Sequence, residues 1–387
     1  MADIIGAPQI APEAAKKENC TLWKHTIVKV GDKILPSQTI KERSNIAYDR
    51  RKRVAFQAKL APLGLTRFSF FIEMREKKEI DREYLGDFVY EDDVKKVVIS
   101  RKTGLLESYI VDGKEMLKNA FQLVVYDDDA DPWGWNRDKI GNTSEPFVAS
   151  DCQKGPFKGL HNVNIVENGE VLTEVECYFE YGCSFVKVGY KIYKNMKYID
   201  VNVEVLWNEQ QKALKLVLPY IEQEKNDFFG QVAYGTEILE KSRKEMPAQH
   251  FVAIGDCAGK SLALLSKDTY GYSAEENNLY ITLLRGIAHC AHPIGGYPLV
   301  DETRHIPYVE QGKHVFAFRL FYGETSGFEN ETALFNQGVY SLNVFPHGTQ
   351  SDFKETVRLS NMEIALSSCR QTEEGVELRL FNNFPIA

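Results

Sequence analysis

Three observations predict an all-β protein built around a large sandwich. KYIDVNVEVLW puts Ile199, Val201, Val203, Val205 and Trp207 on one face, with Asp200, Asn202 and Glu204 opposite. That period-two alternation is the mark of a half-buried antiparallel strand. Similar segments recur at hairpin spacing, separated by turn signals, as in a sandwich rather than in βαβ units. The 19 Tyr, 22 Phe and 4 Trp often accompany β-branched residues, a combination suited to pleated surfaces, and helical periodicity is nearly absent.

In chain order, residues 1–21, with IAPEAAKKENC, read as a polar arm, and residues 22–85 as a small β-sandwich segment. The charged run REKKEIDREYLGDFVYEDD, from Arg75 to Asp93, breaks the strand pattern and marks the boundary to a large sandwich over residues 86–387. There VKKVVIS and TGLLESYIV meet at Thr103-Gly104, and Asp112-Gly113 turns the chain back. Asn168-Gly169 precedes EVLTEVECYFEY, and Lys194-Asn195 follows SFVKVGYKIY; such pairs are hairpin chemistry. ALKLVLPY and HVFAFRLFYG add strands. LLSKDTYGYSAEENNLYITLLRG, from Leu264 to Gly286, reads as two apolar strands joined across Ser273 to Asn278. After a break over Gly323 to Glu331, FNQGVYSLNVFP reads as an extended crossing segment, and VELRLFNN as a last strand that stops partway through a unit.

At 387 residues one large domain plus a smaller one is expected. A formal net charge of −8 leaves no basic field for a phosphate backbone, so nucleic acid is not an expected partner. The run Arg50 to Arg53 reads as a solvated strand end. Met1 to Lys17 lacks the basic start and apolar core of a signal peptide, and no apolar run approaches the roughly 20 residues of a membrane span, so a cytoplasmic protein without membrane contact is expected. Seven scattered cysteines without a CxxC pair argue for reduced thiols, against both a disulfide framework and a zinc ribbon.

Two clusters could carry chemistry. In YDDDADPWGWNRD, Asp127, Asp129, Asp131 and Asp138 approach the spacing of a calcium loop. Pro132 stands where that loop needs Gly, however, and Asp138 replaces the bidentate Glu. The remaining readings are an exposed loop, or carboxylates and Trp faces lining a sugar site. In RGIAHCAHP, His289, Cys290 and His292 offer metal ligands, but no third protein ligand can be chosen for a catalytic zinc, so structural or surface histidines are the simpler reading. GxSxG, P-loop and GxGxxG signatures are absent. Paired glycosidase carboxylates cannot be found by spacing, since they sit on separate strands.

Taken in order, six segments resemble the non-catalytic C-terminal half of glycoside hydrolase family 38 α-mannosidases. They are KVGDKILPSQ with VAFQAKLAPLGLTRFSF, VVISRKTGLLESYIVDGKEML, NAFQLVVYDDDADPWGW, YIDVNVEVLWNEQQKALKLVLP, LLSKDTYGYSAEENNLYITLLRG and QGKHVFAFRLFYG. The resemblance implies a small sandwich followed by a galactose-mutarotase-like supersandwich. It also implies a function as the C-terminal part of an enzyme that hydrolyses terminal α-mannosides. In that family the nucleophile and a zinc ion belong to an N-terminal barrel, followed by a helical bundle. About 29 residues precede Val30, too few for either, so the barrel is expected to be absent from this chain and the chain inactive alone, with no metal and no catalytic residue of its own. Its expected partners are mannosides and the catalytic barrel of the same enzyme.

The resemblance further implies sugar contacts. Asp268, Thr269, Tyr270 and Gly271 match the family's Asp-x-x-Gly loop, with Thr269 where some relatives have Arg. Phe121 matches an aromatic position, without the hydroxyl of a Tyr. Asp131, Trp133 and Trp135 complete the candidate substrate-binding set. Two other readings stay open: a stand-alone aldose mutarotase drawing on His161, His289, His292 and Glu377, and a carbohydrate-binding module using Trp133 and Trp135.

Overall fold

The computed structural model describes residues 2–5, 22–41, 51–60, 64–76, 86–128, 144–288, 305, 307–342, 357–361 and 363–382. Among them the chain is nearly all-β: a large β-supersandwich preceded by a small β-sandwich. One layer of the supersandwich is a ten-stranded sheet. It runs from Val148–Ala149 through Leu172–Tyr181, Ser184–Tyr193, Tyr198–Trp207, Gly312–Glu324, Lys260–Ser266, Phe251–Gly255 and Asp227–Val232 to Gly235–Ile238, with Val163–Asn168 also paired to Leu172–Tyr181. Facing it are a four-stranded sheet (Lys114–Ala120, Leu106–Val111, Lys95–Ile99, Phe88–Glu91) and a six-stranded sheet. The latter has the order Ser144–Pro146, Gln122–Asp127, Lys212–Pro219, Asn278–Arg285, Gly271–Glu275, Met246–Pro247.

The alternation expected over Tyr198–Trp207 is realised. Ile199, Val201, Val203, Val205 and Trp207 are fully buried in one core with Leu214, Leu216 and Leu218 of the six-stranded sheet and Val97, Ile99 and Tyr109 of the four-stranded sheet. Each such side chain gains about 1.5–3 kcal/mol from leaving water, which is why the register cannot slip. The turns follow their chemistry. Asp112 and Gly113 have φ of 50° and 76°, and Asn195 a φ of 58°, the left-handed values that Asn, Asp and Gly adopt most readily.

The small sandwich pairs Ala2–Ile5, Arg51–Phe56 and Ser37–Ile40 in one sheet, and Lys33–Leu35, Leu22–Val30 and Ser69–Glu76 in the other. Val28, Leu35 and Val54 fill it, with Phe56 set edge-on to Phe68 and Phe70. It joins the large sandwich through Ile40 and Ala55, which pack on Val171 and Leu172. At this joint the buried Gln38 Oε1 accepts from the backbone N–H groups of Val171 and Leu172, both at 2.8 Å. A Cβ on Gly169 would come within 2.4 Å of the Gln38 side chain, so the turn needs glycine to let the two sandwiches approach. Gln38→Ala strands both donors and is expected to cost about 2 kcal/mol or more in urea denaturation. An unchanged midpoint would mean that the joint does not carry this share of the stability.

Three segments depart from the sequence reading. Ala2–Ile5, within the expected polar arm, is a strand that pairs with Arg51–Phe56. FNQ of the expected extended crossing is the end of a helix, Phe328–Gln337, whose Phe328, Thr332 and Phe335 face inward. Their i, i+4, i+7 spacing is helical, but the pattern is only ten residues long and follows a Gly-containing break. The stretch Leu264 to Gly286 is not one hairpin. Its first apolar run, Lys260–Ser266, belongs to the ten-stranded sheet, and the hairpin is Gly271–Glu275 with Asn278–Arg285 in the six-stranded sheet. Glu276 and Asn277 form the turn with φ of 48° and 60°. Residues 267–270 therefore cross from one layer of the sandwich to the other. Among the described residues no helix is long and apolar enough to cross a membrane.

Candidate functional site at one end of the six-stranded sheet

The crossing at 267–270 is held from within. Thr269 is buried, and its Oγ1 meets Ser266 Oγ at 2.5 Å and the Tyr272 hydroxyl at 3.0 Å. Tyr272, fully buried, donates from its hydroxyl to the Thr269 carbonyl at 2.6 Å. Burial pushes the Tyr272 phenol up to about 12, so it stays a neutral donor. The Ala248 N–H donates to the Tyr270 carbonyl at 3.2 Å. With Thr269 turned inward, Asp268 is exposed and Tyr270 is 58% exposed. The loop is a fixed frame that presents an acid and an aromatic ring to solvent.

Gly271 leads from this loop into the six-stranded sheet, where a Cβ would come 3.1 Å from Glu245 Oε2. Beside it lies a polar cluster on the face turned away from the core. Along Lys212–Pro219, Leu214, Leu216 and Leu218 point to the core, so Lys215 points outward, yet its side chain is only 4% exposed. Lys215 Nζ is ion-paired with Glu245 Oε1 and lies 3.4 Å from Ser273 Oγ, while Thr282 Oγ1 donates to Glu245 Oε2 at 2.9 Å. Burial lowers the Lys215 pKa, and Glu245 opposes that shift. The Tyr280 ring lies 5.8 Å from the Lys215 amine. Arg243 Nε stands 3.6 Å from Glu275. Burial raises the pKa of both Tyr126 and Tyr280, against the nearby Arg243 charge.

The acidic strand end emerges at the same end of this sheet. Asp127 pairs in the ladder with Lys212, which is also its ion-pair partner, and Ala213 pairs with both Tyr126 and Arg285. Arg285 clamps Asp128 with two hydrogen bonds of 2.7 Å. Lys215 pairs with Thr282, the residue after Ile281, and Ile281 pairs with Tyr272. Gly271 thus shares a ladder row with Thr282, Lys215 and Val124, three strands from the Asp127 strand and at the same end of the sheet.

Of the expected site residues, Asp268, Thr269, Tyr270 and Gly271 form one loop, with only Asp268 and Tyr270 pointing out. Phe121 stands in the core, fully buried and edge-on to Tyr190 at 5.7 Å. Its φ of 65° marks the corner where the chain leaves the four-stranded sheet for the six-stranded one. Asp131, Trp133 and Trp135, with Asp129 and Asp138, lie outside the described residues, as do His289, Cys290 and His292. His161 is exposed, and Glu377 is ion-paired to Arg370 at 2.8 Å on the exposed hairpin Ile364–Thr372 with Gly375–Asn382. Sequence reasoning missed Lys215, Arg243 and Glu245. The lysine inside the apolar run ALKLVLP was a visible signal, but its partner lies 30 positions away.

Among the described residues, the trio that brings possible metal ligands within 4.8 Å of one another is Asp227, Asp256 and Cys257. It contains no histidine, and Lys225 Nζ already neutralises Asp256 at 3.0 Å. The resemblance assigns its zinc ion to a separate barrel, and no metal is assigned to these residues.

The fold is a β-supersandwich with a polar outer sheet end. Residues 90–292 match the family model described as the glycosyl hydrolases family 38 C-terminal domain. The chain belongs to glycosyl hydrolase family 38. No match was found among curated protein sequences. Among solved structures, a protein of glycosyl hydrolase family 38 from Enterococcus faecalis superposes with a TM-score of 0.67 at 13% identity, covering 96% of this chain and 48% of that one. An alpha-mannosidase from Enterococcus faecalis V583 gives a TM-score of 0.64 at 12% identity, covering 96% of this chain and 46% of that one. The chain spans about half the length of these solved relatives.

Proposed function

We propose that this chain is the C-terminal part of an α-mannosidase that hydrolyses terminal α-mannosides. In this reading it braces a zinc-dependent catalytic barrel and completes the sugar site with the Asp268–Gly271 loop. The observation that carries the reading is that this loop and the acidic strand end at Asp127 and Asp128 lie at the same end of the six-stranded sheet, three strands apart. Family membership supports it, and so does the likeness to a solved alpha-mannosidase.

In this role the exposed Asp268 accepts hydrogen bonds from sugar hydroxyls and Tyr270 offers a ring face to the apolar side of a pyranose. Thr269 and Gly271 set the loop, and Phe121 fixes the corner between the sheets from behind. Asp131, Trp133 and Trp135, outside the described residues, are the further sugar contacts that the resemblance implies. The zinc and the nucleophile belong to the barrel. This chain assayed alone with an aryl α-mannoside is therefore expected to show no turnover. Turnover abolished by a chelator would contradict the division of labour proposed here.

A further inference from the structure

Two routes join the helix Phe328–Gln337 to the ends of the 267–270 crossing. At its start, the Lys267 amine lies 5.1 Å from the centre of the Phe335 ring, which the helix turns inward. At its end, the Tyr270 carbonyl accepts from Ala248 N–H, and Gln231 fixes the next two backbone groups. Gln249 N–H donates to the Gln231 carbonyl at 2.8 Å, and His250 N–H to its Oε1 at 3.0 Å. Ser266 N–H closes this corner by donating to the His250 carbonyl at 2.8 Å. Gln231 is itself buried, and its Nε2 donates to Glu329 Oε2 at 2.5 Å. One side chain therefore connects the first turn of the helix to the segment that holds Tyr270.

That first turn carries two acids with unequal partners. Glu331 Oε2 stands 3.9 Å from Arg319, which is bound twice to Asp200 and lies 4.0 Å from the Tyr198 ring. Glu329 meets the neutral Gln231 amide, and among the described residues no lysine or arginine pairs with it. The nearby His250 imidazole has a buried Nδ1 without a hydrogen-bond partner among the described residues. Burial raises the pKa of Glu329, opposed by the Gln231 hydrogen bond and the imidazole, and also by the positive end of the helix. Protonated Glu329 still accepts from Gln231 and no longer carries the desolvation cost of its charge.

We propose that Glu329 is a positioning residue for the Asp268–Gly271 loop: acting through Gln231, its protonation tightens helix and loop together, and its ionisation loosens both. The consequence, a sugar loop better ordered in mildly acidic solution, rests on the sugar reading of that loop; the coupling itself rests on other side chains. A carboxyl whose folded-state pKa is raised contributes stability that is fully present below its ordinary value of 4.5 and is lost as pH rises through the folded value. Loosening is therefore expected upward from about pH 5.

The test is hydrogen exchange of the full chain at about pH 5 and pH 8, normalised for intrinsic rates and read over 248–250, 266–270 and 328–337. Protection in the three segments should fall together, about threefold from the lower pH to the higher. Glu329→Gln, a neutral side chain of nearly the same shape, should keep at the higher pH the protection that the parent shows at the lower one. Glu329→Ala should lower protection at both. Parent protection independent of pH, an unchanged pH profile in folded Glu329→Gln, or a change confined to 328–337 would each overturn the inference. Mannobiose titration under the same conditions separates it from the sugar reading. The expected exchange profile without any mannobiose binding would contradict that reading and still support the role of Glu329.

Discussion

Asp92→Ala is expected to destabilise the fold by about 3–5 kcal/mol, the cost of leaving a buried charge without its partner. The Lys95 side chain is fully buried, and Asp92 Oδ2 stands 3.2 Å from its amine. The same carboxylate accepts from the Tyr90 hydroxyl at 2.7 Å and from the backbone N–H groups of Val94, Lys95 and Asn195 at 2.9–3.0 Å. It thereby ties the Phe88–Glu91 and Lys95–Ile99 hairpin to the end of the ten-stranded sheet. Asp92→Asn keeps part of the hydrogen bonding and should lose less. Adding Lys95→Met to Asp92→Asn should recover stability, because the stranded charge is then gone.

The same group makes an acid prediction. Burial works against the charged form of Asp92, but the hydrogen bonds from Tyr90, Asn195, Val94 and Lys95 outweigh it and hold the pKa at about 2, below its ordinary 3.8. A depressed folded-state pKa contributes stability that is fully present above the unfolded value and is lost as pH falls through the folded one. Acid unfolding between pH 4 and pH 2 should therefore be steeper for the parent than for Asp92→Asn. Superimposable acid limbs would show that Asp92 does not carry the linkage.

Phe328→Ala should cost a similar amount, about 3–5 kcal/mol. Phe328 is fully buried where the helix meets the outer side of the ten-stranded sheet, with ring centroids at 6.3 Å from Phe229, 5.6 Å from Phe251 and 5.8 Å from Phe321. Truncation leaves a cavity among three aromatic rings as well as losing the transfer energy. Since the helix packs through Phe328 and Phe335, it should loosen locally, with hydrogen exchange rising over Phe328–Gln337. A loss below about 1 kcal/mol would mean that the helix is not anchored by this ring.

These residues also show what could be read in the chain. The Tyr198–Trp207 strand was legible because alternate burial and strand period coincide, and the Asp112-Gly113 turn because few residue pairs accept two left-handed backbones. The helix was not, because three inward residues in ten hardly differ from a short apolar loop beside Gly327 and Gly338. In the stretch Leu264 to Gly286 the period of the sequence shows strands but not that they divide between two layers. Nothing local states that Ser266 ends in one layer and Gly271 begins in the other; that follows from which distant strands each meets, Gly312–Glu324 and Asn278–Arg285. The site divides likewise. Asp268 to Gly271 came from a motif, whereas Lys215, Glu245 and Arg243 become one cluster only through pairing across separate segments.

The central proposal is that sugar is met at the end of the six-stranded sheet that carries both the exposed Asp268 and Tyr270 and, three strands away, Asp127 and Asp128. The most direct measurement is the perturbation of backbone amide signals of the isotope-labelled chain on titration with an α-linked mannobiose. The account predicts saturable shifts centred on 268–271 and 127–128 that vanish in Asp268→Ala. Saturable shifts centred instead on the exposed hairpin around Glu377 or on His161, or shifts that survive Asp268→Ala unchanged, would contradict it.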